Sequence, residues 1–294
     1  KSVSLTLFLV AASLACVDRI DPPPGEGEGE GEGEGEVPGE GEGEGEGEGE
    51  LLGPAAAVAE RLGLDPHFLI GAKNNMAGVS ELTTGMDLRY AYLVGDGTDS
   101  WAWPYWNDPR GRYVDLTAEQ IDAAGSVPMF TLYSMAAWGD GYLGGLDDAA
   151  FMADYWDEAK LMYERLALFD KPAIVHLEPD FWGYATQQSG GDPSSVTVQV
   201  RAHAPDCADL PDDLEGMGRC LVRLGRTYAP KAVLSFGLSK WGSPGPEAHA
   251  SFLVAVGAAE ADLFVVEMLD RDAGCFEAQA LGCTRQDGPW YWDE

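Results

Sequence analysis

Acidic and imidazole side chains alternate along His176-Leu-Glu-Pro-Asp-Phe-Trp-Gly-Tyr184, directly after the apolar run 172–175. If this run is a strand, period-two alternation places His176, Glu178 and Asp180 on one face at its C-terminal end. Apolar neighbours and a nearby second acid predict a raised pKa for Glu178, which suits a group that donates a proton near neutral pH. The alternative is a buried polar cluster that ties the strand end to its neighbours.

Cleavage of a bond by such a proton donor needs a second carboxyl group, which acts as the base or nucleophile. Glu267 lies within a later apolar run, and Asp270 lies just beyond it. An unpaired buried charge is costly, so Glu267 must face a polar space or be paired. Glu267 is therefore the predicted partner of Glu178, with Asp270 as the second choice. Asp293, Glu294 or residues further along the chain are the alternatives.

Aromatic side chains follow most of the predicted strands, on one side of the predicted sheet. Exposed aromatic rings stack on the apolar faces of sugars, while polar groups bind the sugar edges. The residues predicted to contact such a substrate are His176, Tyr90, Tyr133, Trp103, Trp106, Trp138, Trp182, Trp241 and Trp292. The alternative explanation for the Trp residues is ordinary loop packing.

Strand-like and helix-like patterns alternate from residue 51 onward. Apolar, β-rich runs predict strands over 67–71, 88–94, 127–135, 173–178, 232–238 and 263–269. Steps of three or four residues between apolar positions predict helices over about 118–124, 148–169, 214–228 and 246–259. Asp147 or Asp148 is the predicted N-cap of the second of these helices.

This alternation predicts an α/β fold with a parallel sheet covered by helices. The 244 residues of 51–294 are close in number to the roughly 250 of a (β/α)8 barrel. Six strands are two short of that barrel, so the sequence predicts a (β/α)8-type barrel truncated at its C-terminus. The alternatives are an incomplete barrel of six or seven strands and an open doubly wound sheet.

The N-terminal segment has the pattern of an export signal. Lys1 is followed by an apolar stretch, and small residues precede Cys16. We predict a signal peptide over 1–15 and a lipid on Cys16, with simple cleavage after Ala15 as the alternative. Residues 25–50 contain 12 Glu and 12 Gly, a composition typical of a disordered spacer, so 16–50 is predicted to be a linker. The expected location is outside the cell or on its surface, anchored by lipid in a bacterial envelope.

The chain is strongly acidic, with a formal net charge of −32. Residues 51–294 carry 36 acidic and 16 basic side chains, a net charge of about −20 without the linker. Phosphate groups bind to clusters of Lys and Arg, so nucleic acid and anionic lipid surfaces are disfavoured as partners. The membrane is expected to matter only through the lipid anchor, and a neutral polysaccharide or oligosaccharide is the favoured substrate.

Four cysteines remain if Cys16 is lipidated or removed with the signal. An exported domain with four cysteines favours two disulfides. The simplest of the three connectivities pairs Cys207 with Cys220 and Cys275 with Cys283.

The segment around Glu178-Pro179 resembles known sugar-cleaving enzymes. A catalytic Glu followed by Pro at the end of the fourth strand resembles the large retaining clan of (β/α)-barrel glycoside hydrolases, although Leu177 replaces its usual Asn. The sequence Leu177-Glu-Pro-Asp180 is also similar to a segment of family 6 cellulases, which have a modified barrel and inverting chemistry. Both resemblances imply glycoside hydrolysis. The resemblance to the retaining clan implies Glu178 as the acid, whereas catalysis in family 6 rests on Asp residues in other motifs.

The sequence thus predicts an exported glycoside hydrolase that cleaves an extracellular polysaccharide by two-carboxylate catalysis, without a cofactor or a metal. One alternative is a glycan-binding surface lipoprotein without activity. The other is a metal-dependent hydrolase or deacetylase that uses His176, Glu178 and Asp180 as ligands. The Gly139-x-Gly141-x-x-Gly144 pattern matches a dinucleotide fingerprint, but the acidic residues around it would repel a pyrophosphate.

Overall fold

The computed structural model describes residues 9–11, 53–74, 85–95, 101–139, 141–238 and 245–266. Its strands are β1 (Leu9–Ala11), β2 (Gly71–Lys73), β3 (Leu88–Val94), β4 (Val127–Tyr133), β5 (Ala173–Leu177), β6 (Ala232–Leu238) and β7 (Leu263–Val266). Among the predicted site residues, those outside the described ranges are Glu267, Asp270, Trp241, Trp292, Cys16, Cys275 and Cys283.

The strands form one sheet in the order β1-β7-β6-β5-β4-β3-β2. Strands β2 to β7 are all parallel and follow one another in chain order, while β1 pairs antiparallel with β7. A doubly wound sheet would reverse its strand order at a central switch point, and β2 to β7 show no such reversal. The six parallel strands form a curled half-barrel, as expected for part of a barrel.

In the part of the chain that the structure describes, six α-helices connect and cover the strands. They are α1 (Pro54–Arg61), α2 (Arg112–Ala123), α3 (Ala149–Phe169), α4 (Phe181–Gln188), α5 (Leu214–Tyr228) and α6 (Pro246–Ala255). The Asp148 side chain accepts hydrogen bonds from the amides of Ala150 and Phe151, which confirms it as the N-cap of α3. Helices α1 and α4 were not predicted from the sequence.

Alternation along the strands divides the apolar side chains between two clusters. The helix-covered face carries residues such as Phe130 and Val175, which pack against α2, α3 and α5. The opposite face, here called the inner face, carries residues such as Met129 and Ile174, and α1 packs on it through Val58 and Leu62. Both faces of β5 are therefore buried, which explains why its sequence is a nearly continuous apolar run.

A disulfide joins Cys207 to Cys220, as predicted, and links the segment before α5 to that helix. Within the described ranges, none of the helices combines the length and apolar character needed to span a membrane.

Candidate active site

A polar layer crosses the inner face above its apolar cluster. Thr131, His176 and Ser235 stand in register on β4, β5 and β6. His176 is buried, and its Nε2 has no hydrogen-bond partner in the described structure. Burial lowers the pKa of His176 from 6.5 to about 3, so its imidazole is neutral at neutral pH. His176 therefore lies on the predicted face, beneath the strand ends and without contact with solvent.

The backbone changes direction at Glu178, just after β5 ends at Leu177. Glu178 has a φ of 44°, in the left-handed region that non-glycine residues rarely occupy. Its carboxyl group accepts hydrogen bonds from the amides of Ser134 and Met135, both at 3.2 Å. The predicted alternation is thus wrong at this position, because a strand must keep a negative φ for its side chains to alternate.

The environment of Glu178 keeps its carboxyl group protonated near neutral pH. The side chain is completely buried, and burial raises its pKa from 4.5 to about 8. The two backbone amides and the Tyr155 hydroxyl act in the opposite direction, while the buried Glu158 raises the pKa further. The predicted raised pKa is therefore present, with burial as its main cause, but the second acid that raises it is Glu158 on α3 instead of Asp180.

Asp180 lies at the end of β5 and is partly exposed. The Tyr133 hydroxyl, at the end of β4, donates a hydrogen bond to Oδ2 of Asp180 at 2.8 Å. The Tyr133 ring packs edge-on against Tyr92, with centroids 5.7 Å apart, and Tyr92 packs in the same way against Tyr90 at 5.8 Å. Tyr90 is buried within the inner face, so it supports Tyr133 from below instead of facing solvent.

A narrow cleft with a volume of about 10 Å³ lies at the C-terminal ends of β4 and β5. Its lining consists of aromatic, carboxyl and small groups, from Tyr133, Met135, Ala136, Gly139, Gly141, Tyr142, Glu178, Asp180 and Phe181. Gly141 has a φ of 76°, and a Cβ atom there would lie only 2.8 Å from the Tyr184 ring. Glycine is therefore required for the loop to lie this close to α4.

The predicted Trp residues lie in different environments. Trp182 is fully buried; its indole N–H donates to the Leu177 carbonyl oxygen at 2.9 Å. Trp103 is also fully buried, so neither ring offers a face to a sugar, and packing explains both. Trp106 is partly buried and packs edge-on against Tyr113. Trp138 ends the 3-10 turn Met135–Trp138 that follows β4.

Three half-exposed aromatic residues were not among the predicted site residues, and one of them, Tyr142, lines the cleft. Trp101 and Tyr105 follow β3, and Tyr142 follows β4; about half of each side chain is exposed. The Arg110 guanidinium carbon lies 5.6 Å from the centroid of the Tyr105 ring and covers one face of that ring. Tyr142 belongs to the glycine-rich loop, whose pattern could have drawn attention to it as a cleft residue.

The metal-site alternative requires His176, Glu178 and Asp180 to converge on one point. The three side chains do not share a contact. His176 lies on the inner face, the Glu178 carboxyl group accepts hydrogen bonds from backbone amides, and the Asp180 carboxyl group accepts one from the Tyr133 hydroxyl. Within the described residues, no group of three or more His, Cys, Asp or Glu side chains could hold a metal ion.

No known family profile matches the chain, and no curated protein matches it. Among solved structures, the chain is similar to the endoglucanase Cel6 from Mycobacterium tuberculosis, in complex with methyl-cellobiosyl-4-deoxy-4-thio-β-D-cellobioside. The two are 20% identical with a TM-score of 0.35, and the match covers 74% of this chain and 60% of the endoglucanase. The chain thus spans less than two thirds of that enzyme's length. Activity must be inferred from the cleft itself.

Proposed function

We propose that the protein is a glycoside hydrolase that binds a neutral polysaccharide in the cleft at the ends of β4 and β5. The observation that carries this proposal is Asp180: a partly exposed carboxyl group, held by Tyr133, in a cleft that aromatic side chains line. Glycosidic cleavage needs such a carboxyl group beside the sugar. The C-terminal edge of parallel strands is also where α/β folds place their chemistry.

Asp180 would contact the substrate, and a second carboxyl group would complete the reaction. Glu267 and Asp270, which lie outside the described residues, remain the predicted sources of that second group. The acidity of the domain fits a neutral sugar better than an anionic one, because like charges repel. Tyr142, half exposed over the cleft, supplies a ring face for stacking.

We also propose export, in which residues 1–15 are removed together with β1, and the protein is anchored by a lipid on Cys16 and held away from the membrane by the linker over 16–50. A polysaccharide outside the cell is then the substrate that the protein can reach. Labelling with a radioactive fatty acid in a bacterial host would incorporate label into the wild type and not into Cys16→Ala. Equal incorporation into both proteins would contradict the anchor.

The hydrolase is tested by incubating the protein with a panel of neutral and charged polysaccharides and measuring the release of reducing ends. We expect release from at least one neutral polymer, and a loss of about 100-fold or more in Asp180→Asn. Asp170→Asn is the matched control, since Asp170 precedes β5 at the opposite edge of the sheet and asparagine tolerates its positive φ. Equal losses in both variants would contradict the assignment of the cleft.

A non-catalytic glycan-binding protein is the second candidate. One observation favours it: of the two carboxyl groups that line the cleft in the described structure, Glu178 is completely buried. Hydrolysis requires two carboxyl groups that reach the sugar. Binding of a neutral polysaccharide by wild type and Asp180→Asn alike, without any release of reducing ends, would support this second candidate.

A further inference from the structure

We propose that Glu178 is a positioning residue, which fixes Asp180 for catalysis through the backbone around Tyr133 and does not itself contact the substrate. This inference rests on the proposed hydrolase. It differs from the prediction made from sequence, in which Glu178 is the general acid.

The evidence begins with the hydrogen bonds on either side of Tyr133. The Glu178 carboxyl group binds the amides of Ser134 and Met135, the two residues that directly follow Tyr133. The Glu178 amide donates at 2.9 Å to the carbonyl oxygen of Leu132, the residue directly before Tyr133. Glu178 therefore holds the β4 backbone both before and after Tyr133.

Tyr133 carries this constraint to Asp180. Its hydroxyl donates to Oδ2 of Asp180 at 2.8 Å, and its ring is held from the side by Tyr92. A carboxyl group bound in this way has one fixed orientation in the cleft, whereas an unsupported Asp would sample several rotamers. Orientation of this kind matters because a displacement of about 1 Å can lower the rate of catalysis about 100-fold.

The backbone conformation gives independent support. Glu178 adopts a φ of 44°, in the left-handed region that is sterically unfavourable for a non-glycine residue. Such strain persists only where the surroundings impose it. Here it directs the carboxyl group toward the turn after β4 and toward Tyr155 and Glu158 on α3, away from solvent. A proton donor has to come within hydrogen-bond reach of the glycosidic oxygen, and a completely buried group does not.

The test compares Glu178→Gln, Tyr133→Phe and the double variant on two substrates. One substrate is a neutral oligosaccharide that the wild type cleaves, and the other is the same sugar with a dinitrophenyl leaving group. The dinitrophenyl group departs without a proton, so a variant that lacks only its general acid recovers activity on it. In this proposal Asp180 is the nucleophile or base, which is needed with either leaving group, so a variant with a misplaced Asp180 does not recover.

We expect each single variant to lose about 100-fold in kcat, with KM little changed, on both substrates. The double variant should be no slower than the slower single variant, since both changes break the same connection. The control Glu164→Gln, at an exposed position on α3, should keep wild-type rates. Recovery of Glu178→Gln on the dinitrophenyl substrate, or additive losses in the double variant, would overturn the proposal.

A measurement that needs no activity separates this proposal from the hydrolase. In carbon-13 NMR, the carboxyl carbon of Asp180 should shift in both Glu178→Gln and Tyr133→Phe, even if the wild type cleaves no polymer. Tyr133→Phe removes the direct hydrogen bond to Asp180 and gives the size of shift that loss of this contact produces. Glu178→Asp, whose shorter side chain withdraws the carboxyl group from the two amides, serves if Glu178→Gln does not fold. An Asp180 resonance that stays in place in the folded Glu178 variant would overturn the positioning role, whatever the protein's activity.

Discussion

The buried carboxyl group of Glu178 makes the stability of the fold depend on pH. Its pKa rises from 4.5 to about 8 in the folded protein, mainly because burial disfavours the charged form. The unfolded chain ionises Glu178 near pH 4.5, while the folded protein keeps it protonated until about pH 8. The stabilisation is thus fully present below pH 4.5 and is lost as the pH rises to 8. A difference of this size corresponds to about 5 kcal/mol.

Glu178→Gln removes this dependence and keeps the shape of the protonated side chain. In the variant an NH2 group replaces one carboxyl oxygen, and it cannot accept a hydrogen bond. Either the Ser134 amide or the Met135 amide therefore loses its acceptor, which lowers the unfolding free energy by about 1–3 kcal/mol. We therefore expect the variant to be less stable than the wild type at pH 5 and more stable at pH 9. The two stability curves should cross between these values.

The assay is urea unfolding at several pH values, followed by tryptophan fluorescence, on wild type, Glu178→Gln and the exposed control Glu164→Gln. The difference between wild type and Glu178→Gln isolates the effect of this one group from the other ionisations. A difference in unfolding free energy that stays constant from pH 5 to pH 9 would refute the reasoning.

The other predictions concern the aromatic residues, the disulfide and a helix cap. Trp101→Ala should weaken binding of a neutral polysaccharide several-fold in affinity electrophoresis without a change in stability, because its ring is about half exposed; unchanged mobility would speak against this. Trp182→Ala should lower the unfolding free energy by about 3–5 kcal/mol, since the ring is fully buried; a loss below 1 kcal/mol would show that the ring is not packed in the core. Replacing both Cys207 and Cys220 by Ser should lower the unfolding free energy measured in urea by about 3 kcal/mol; an unchanged value would show that this bridge does not constrain the chain. Asp148→Ala should lower it by about 1 kcal/mol through loss of the α3 cap, whereas Asp147→Ala should not.

The regular elements were largely predictable from the sequence. Strand β3 was predicted at its observed bounds, as were β6 and α5, because apolar periodicity directly reflects which faces are buried. The disulfide between Cys207 and Cys220 was predicted from their spacing. The first strand was placed over 67–71, but β2 runs from Gly71 to Lys73, so only the edge of that prediction is correct.

The site was less predictable, because it depends on local departures from regular structure. Alternation held as far as His176 and failed at Glu178, where φ becomes positive. Pro179 could have signalled that the strand ends there, since the residue before a proline favours extended or turn conformations. Helix α4 begins immediately at Phe181 and buries Trp182, and no cap side chain marks its start. Which Trp residues are buried and which are exposed depends on packing between segments that are distant in the chain. The periodicity of apolar residues carries no information about such packing.

The central claim is that a neutral sugar chain is cleaved beside Asp180 in the cleft at the ends of β4 and β5. A crystal structure of Asp180→Asn, soaked with an oligosaccharide that the wild type cleaves, tests it most directly. We expect a glycosidic oxygen within hydrogen-bond distance of residue 180, with a sugar ring against Tyr142. An oligosaccharide bound elsewhere on the protein, with the cleft unoccupied, would contradict it.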